Sequence, residues 1–287
     1  MTESIEQYLN RTHTDQTTKT YLYYIDVFQM KYPNAMHLMY SDIINYINEI
    51  KKNTKEITKI SPHFSAVKRY YDYLLATGVR NDHPCKSIRL KRKKQSIQLQ
   101  DLFSPTELEQ LMHRENRFSN LELRNKVIIS LLIYQALCGA ELCHIELRDI
   151  DLDAGTIYIK GSKKNASRTL ELKQNQIMLI LNYINTSRKN LLKAQSNYLL
   201  ITQRGVVDTV DGINRMIQTL KGLFPDRNLN PSTIRQSVIS NLLNVFKEPL
   251  ENVQLFAGHK WISSTEQYRR VDITEQREKI NKWHPLG

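Results

Sequence analysis

Three short stretches of the chain carry residue types that can act on a phosphate. In "GHKWISSTEQYRR", residues 258–270, His259 and Tyr268 stand nine positions apart. In "NPSTIRQS", residues 230–237, Pro231 opens a helix and Arg235 falls on its first turns, near the positive end of the helix dipole. In "GSKKNA", residues 161–166, Lys163 and Lys164 occupy a basic turn. A phenol offers an oxygen nucleophile, a guanidinium binds the oxygens of an anion in pairs, and an imidazole or an ammonium moves protons. Each residue alone has an ordinary reading. The chain holds 15 tyrosines, most of which must be packing residues, and a lone Arg, His or Lys on a helix or turn is a surface ion-pair, capping or solvated residue. Only a common pocket would give them a shared chemistry.

The elements that must position these residues can be read from periodicity. Residues 1–84 read as helices only: "SIEQYLN", then "TTKTYLYYIDVFQMKY" with Tyr21, Tyr24, Ile25 and Phe28 on one face, then "YSDIINYINEIKK" and "ISPHFSAVKRYYDYLLATG". In the last, Ser61 and Pro62 are expected to start the helix and Gly78 to stop it. "CKSIRLKRKK" at 85–94 falls where this periodicity ends, so 85–102 reads as a basic linker. A capping box, Ser104 and Glu107 around Pro105, opens a second region at 103–287. There "VIISLLIYQALCG" is apolar on all sides and is expected to be a central buried helix with Cys138 at its end. "GTIYIK" and "SRTLEL" alternate as strands of a hairpin whose tip carries the lysines, "NYLLIT" is strand-like, and helices follow from about 209. "EPLENVQLFAGH" is a short helix stopped by Gly258, which turns His259 inward. The fold class is mainly α with a small β-sheet.

Composition narrows the partner. A chain of 287 residues with 41 Lys and Arg against 29 Asp and Glu has a net charge of +12, a field suited to a polyanion, and nucleic acid is the commonest one. Apolar runs are too short or interrupted to span a bilayer, and the first residues lack the order of a signal peptide, so a soluble, cytoplasmic protein is expected. Three cysteines without a CxxC pair argue against a disulfide framework and a zinc site, and no metal is implied.

On "LENVQLFAGHKWISSTEQYRR" and "NPSTIRQS" the sequence resembles the tyrosine recombinases, or phage integrases, including the Xer-like enzymes, and the resemblance spans nearly the whole chain. It implies a SAM-like helical core-binding domain at 1–84, with a tyrosine-recombinase catalytic domain after the linker. It makes Tyr268 the nucleophile, His259 the histidine of the third box, Arg235 the arginine of the second, and a hairpin lysine the acid that protonates the leaving oxygen. Counting back from the second strand favours Lys163, counting forward from the first favours Lys160, and Lys164 remains open. The implied reaction is attack of the tyrosine oxygen on a DNA phosphodiester, giving a 3′-phosphotyrosine and a free 5′-hydroxyl, with no cofactor. The implied partners are double-stranded DNA and further copies, as a homo-tetramer or in a mixed complex with related recombinases, and no membrane. Lys91, Arg92, Lys93 and Lys94 are expected to contact DNA phosphates.

Two positions depart from the family pattern. Ungapped alignment of "ALCGAEL" puts Cys138 where the first arginine belongs, and Ser232 stands in the place of the second-box histidine. Losing one transition-state arginine costs roughly 10³ to 10⁵ in rate in other phosphoryl transfers. Arg148, Lys160 and Lys164 are the candidate substitutes. The alternative is a DNA-binding regulator or accessory subunit that keeps the recombinase shape and cuts nothing.

Overall fold

The computed structural model describes residues 3–53, 57–90, 101–113 and 121–270, so Lys91, Arg92, Lys93 and Lys94 lie outside it. The chain divides into two compact units, 1–95 and 96–287. The first contains α1 (Ile5–Asn10), α2 (Asp15–Lys31), α3 (Tyr40–Asn53) and α4 (Ile57–Ala76). Ser4 begins α1 with a reciprocal capping box to Gln7. Ile25 and Phe28 of α2 are buried and Tyr21 and Tyr24 half-buried, as their spacing predicts; they pack on Ile43, Tyr46, Ile47 and Tyr71.

Two expectations fail in this unit. Helix α4 begins at Ile57, not at Ser61, and Pro62 lies inside it. Pro62 removes one i→i−4 hydrogen bond there, yet the helix runs on to Ala76. Within the stretch read as linker, Cys85 and Ile88 are buried in the first unit's core while Lys86 and Arg89 face outward. The charge run masked that alternation.

The second unit contains α5 (Pro105–His113), α6 (Glu122–Tyr134), α7 (Gly139–Cys143), β1 (Ile150–Asp151), β2 (Thr156–Ile159), β3 (Arg168–Glu171), α8 (Gln174–Asn185), α9 (Ser187–Leu191), α10 (Val210–Gln218), α11 (Pro231–Asn244), α12 (Leu250–Ala257) and α13 (Ser263–Glu266). The Ser104–Glu107 box at the start of α5 forms as expected, with both hydrogen bonds present. Helix α6 is the centre of the core: Val127, Ile128, Ile129, Leu131 and Leu132 have almost no exposed surface, each contributing about 1.5–3 kcal/mol by burial. It ends at Tyr134, earlier than its apolar run suggests. Ala136 takes a left-handed φ of 49°, and Cys138 becomes the residue that starts α7, rather than the end of α6.

The sheet is antiparallel in the order β1-β2-β3, with Ile157 opposite Leu170 and Ile159 opposite Arg168. The strand-like "NYLLIT" contributes only isolated bridges, Tyr198 with Glu146 and Ile201 with Val207. No described helix is long and apolar enough to cross a membrane.

Candidate active site

Local chemistry fixes each segment that carries a candidate residue. Asn230 caps α11: its side chain accepts from the Thr233 amide at 2.9 Å, while Thr233 Oγ1 accepts from the Asn230 amide at 2.9 Å. Pro231 follows at the first helical position, and Arg235 comes one turn later. At the end of α12, Gly258 has φ 71° and the His259 amide donates back to the Gln254 carbonyl at 3.0 Å, which closes the helix and aims His259 off its axis. Helix α13 then delivers Tyr268, whose carbonyl accepts from Asn244 Nδ2 at 2.8 Å. The Asn244 carbonyl oxygen Oδ1 accepts from the Arg270 amide at 2.8 Å, so one side chain at the end of α11 holds the backbone at Tyr268 and just after it.

Arg235, His259 and Tyr268 meet. Arg235 is 8% exposed; its guanidinium donates to the carbonyls of Ala136 and, at 2.6 Å, Ala257. The His259 and Tyr268 rings lie nearly parallel, 15° apart with centroids separated by 6.4 Å. His259 Nδ1 is 2.8 Å from Thr265 Oγ1. Burial, reinforced by the neighbouring guanidinium groups of Arg235 and Arg168, pushes the His259 imidazole down to about 4, so it is neutral at pH 7. Burial raises the Tyr268 phenol, and Arg235 acts in the opposite direction.

Cys138 lies on the same side. Its amide donates to Glu141 Oε2 at 2.9 Å, and its thiol, raised mainly by burial, stays protonated at neutral pH. It lines a cavity of about 300 Å³ together with Glu141, Tyr158, Lys160 and Gly161. Ser232 is exposed on the first turn of α11, 3.4 Å from Gln236 Nε2.

The hairpin between β2 and β3 docks on the Gly258–His259 turn. The Ala166 amide donates to the Gly258 carbonyl at 2.8 Å, and Asn165 forms a bridge with His259. Ser162 Oγ stabilises the turn by accepting from the amides of Lys164 and Asn165. Lys163 and Lys164 are exposed on it, and the Lys163 carbonyl accepts from Lys260 Nζ at 3.4 Å. Lys160 and Arg148 are engaged elsewhere: Lys160 binds Glu146 at 2.8 Å and Asp149 at 3.7 Å, and Arg148 binds Glu146 at 2.7 Å.

The site also contains residues that motif spacing does not reveal. Glu141 and Arg168 form a buried, bidentate pair at 2.8 and 3.3 Å, and Asn165 Nδ2 donates to the same carboxylate at 3.0 Å. Burial by itself would raise the Glu141 carboxyl, but the Arg168 hydrogen bonds and charge hold it below the usual range. A signal for Arg168 does exist. In "SRTLEL" it shares the inward face of β3 with Leu170, and a guanidinium placed there needs a buried acid.

Residues 102–275 match the phage integrase family. Tyrosine recombinase XerC of Lacticaseibacillus casei is 24% identical over 98% of this chain and 97% of its own length. Tyrosine recombinase XerD of Staphylococcus haemolyticus is 29% identical over 79% of this chain and 76% of its own. Among solved structures, XerH recombinase bound to a palindromic difH substrate aligns with a TM-score of 0.73 at 17% identity, covering 97% of this chain and 82% of that one. A lambda integrase dimer on a core site aligns at 0.67 and 14% identity, covering 92% of each chain.

Proposed function

The chain belongs to the phage integrase family, whose members include the Xer tyrosine recombinases, and we propose that it is a site-specific DNA recombinase working through a 3′-phosphotyrosine. The Tyr268 oxygen attacks the phosphorus, the O–P bond to tyrosine forms as the P–O5′ bond breaks, and the phenolic proton is lost to the site. A lysine of the hairpin, Lys163 by position, protonates the departing 5′-oxygen. Arg235 stabilises charge on the non-bridging oxygens, and the neutral imidazole of His259 accepts or relays a proton. The ester energy is retained in the phosphotyrosine bond, so strand joining needs no nucleotide. Two duplexes are joined by a tetramer of this chain or by a mixed complex with relatives.

One observation carries this reading: Arg235, His259 and Tyr268, from three separate elements, converge in one cluster in which Arg235 and Tyr268 are buried and His259 half-buried, the Arg235 charge acting on both other groups. The test is a pool of nicked duplexes with randomised sequence, from which DNA held covalently to protein is recovered after denaturation. Adducts that vanish in Tyr268→Phe support the enzyme. Cys138 and Ser232 favour the second reading, a DNA-binding protein that cuts nothing; tight binding with no adduct, alone or with Xer partners, establishes it.

The basic residues of the linker supply affinity in either case. Replacing Lys91, Arg92, Lys93 and Lys94 by Ala weakens binding to specific and random DNA alike and flattens its salt dependence. An unchanged salt slope would place these residues away from the phosphates.

A further inference from the structure

Two buried guanidinium groups share one carboxylate. Arg168, 9% exposed, forms both of its short ion-pair contacts with Glu141, and its Nε is buried without a hydrogen-bond partner. Arg235 stands farther off, 3.8 Å from Glu141 Oε2, and its hydrogen bonds go to two backbone carbonyls. Among the described residues Glu141 is the only carboxylate paired with either group. With His259, Cys138 and Tyr268 neutral, the cluster holds two positive charges and one negative. A buried net charge of this kind calls for an anion.

We infer that Arg168 is the positioning residue that keeps this site cationic: by neutralising Glu141 it leaves the charge of Arg235 for the phosphate, in a site where Cys138 supplies none. The inference rests on the recombinase reading only for the identity of the anion. Without Arg168, the Glu141 carboxylate has Arg235 as its nearest cation, and the cluster becomes neutral. The bidentate geometry suits this task, since a planar guanidinium satisfies both carboxylate oxygens at once. The same group lies against Gly258, where a Cβ would stand 2.5 Å from its Nη1, so the neutralised carboxylate is tied to the turn that presents His259.

A charge cycle separates this role from plain structural support. Arg168→Gln removes a cation and leaves Glu141 charged; Arg168→Gln with Glu141→Gln removes both and restores one net positive charge. The first readout is the titration of the His259 ring by NMR, which needs no DNA. Arg235 and Arg168 depress that titration and Glu141 opposes them. It is expected to rise by about one pH unit in Arg168→Gln and to return toward the parent's value in the double variant. The second readout is adduct formation on duplexes recovered from the nicked pool, expected to fall on the order of a hundredfold in Arg168→Gln and to recover to within about tenfold of the parent in the double variant. Equal losses in both variants, or a His259 titration that does not move, overturn the inference.

Should Arg168→Gln fail to fold, Arg168→Lys and the double variant carry the test. Both retain one net positive charge, so both should keep His259 titrating near 4 and adduct formation within about tenfold. A hundredfold loss in either refutes the proposal. If the parent forms no adduct on any duplex, the recombinase reading fails, and the His259 titration alone decides the role of Arg168.

Discussion

His259 Nδ1 and Thr265 Oγ1 lie 2.8 Å apart, and Thr265 has no exposed surface. The hydroxyl therefore fixes the rotation of the imidazole from within the segment that leads to Tyr268, and it leaves Nε2 as the nitrogen available to the site. Thr265→Val keeps the volume and deletes the hydrogen bond. It is expected to lower stability by about 1 kcal/mol in urea denaturation and to reduce adduct formation on the order of tenfold or more. Thr265→Ser, which keeps the hydroxyl, should restore most of the rate. Equal rates for Val and Thr would show that the ring is oriented by something else.

The depressed titration of His259 makes a signed prediction for stability. Unfolded, the imidazole takes a proton near 6.5; folded, at about 4. Between these values the unfolded chain binds more protons, so stability falls as pH drops from 6.5 toward 4 and this contribution changes no further below 4. Allowing for the partial exposure of the ring, the loss from this group is about 2 kcal/mol. Denaturation midpoints measured from pH 7 to pH 4 should show it, and His259→Gln should flatten that part of the curve. The rate of adduct formation should not drop through pH 6.5 on account of His259, because its imidazole stays neutral there.

Gly258 combines two constraints. Its φ of 71° is costly for any residue with a Cβ, and that Cβ would stand 2.5 Å from Arg168 Nη1 and 3.0 Å from its Cζ. Gly258→Ala is expected to cost about 1–2 kcal/mol for the backbone alone, with a further loss as Arg168 is pushed from Glu141. A Gly258→Ala protein as stable as the parent by urea titration would mean that the turn and the guanidinium adjust freely.

Much of this site is legible in the sequence because its parts sit at helix starts and stops. Pro231 after Asn230 announces α11, and Gly258 announces both the end of α12 and the turn that releases His259. The hairpin is legible as two alternating strands around a basic turn. What stays hidden is whatever depends on a partner distant in sequence. Glu141 and Arg168 are 27 residues apart, and no spacing announces that they share a buried bond. The engagement of Lys160 and Arg148 with Glu146 is equally invisible, since a lysine and an arginine read alike whether or not a carboxylate waits nearby. Cys138 shows a subtler limit: an apolar run gives the burial of α6 but not its end, which a left-handed Ala136 decides. Asn244 carries no signal at all, because its grip on Tyr268 spans 24 residues of sequence and forms only in the folded chain.

The position of Cys138 divides a slow enzyme from one that has been rebuilt. Cys138 lines the cavity shared with Glu141, Tyr158, Lys160 and Gly161, and Lys160 is paired with Glu146 and Asp149. Cys138→Arg thus adds a guanidinium with room to extend and with Glu141 close by, raising the cluster from one net positive charge to two. A second guanidinium on the non-bridging oxygens should increase the rate of phosphotyrosine formation by about tenfold or more. The opposing force is repulsion from Arg235 and Arg168, which would appear as a lower midpoint in urea before it appeared in rate. A rate that rises while stability falls modestly marks a catalyst weakened by the loss of its arginine. A rate that falls, in a protein as stable as the parent, marks a site in which the existing charge is already matched to the phosphate. Complete absence of adduct in Cys138→Arg combined with Ser232→His, across the whole nicked pool, would leave DNA binding as the function of this chain.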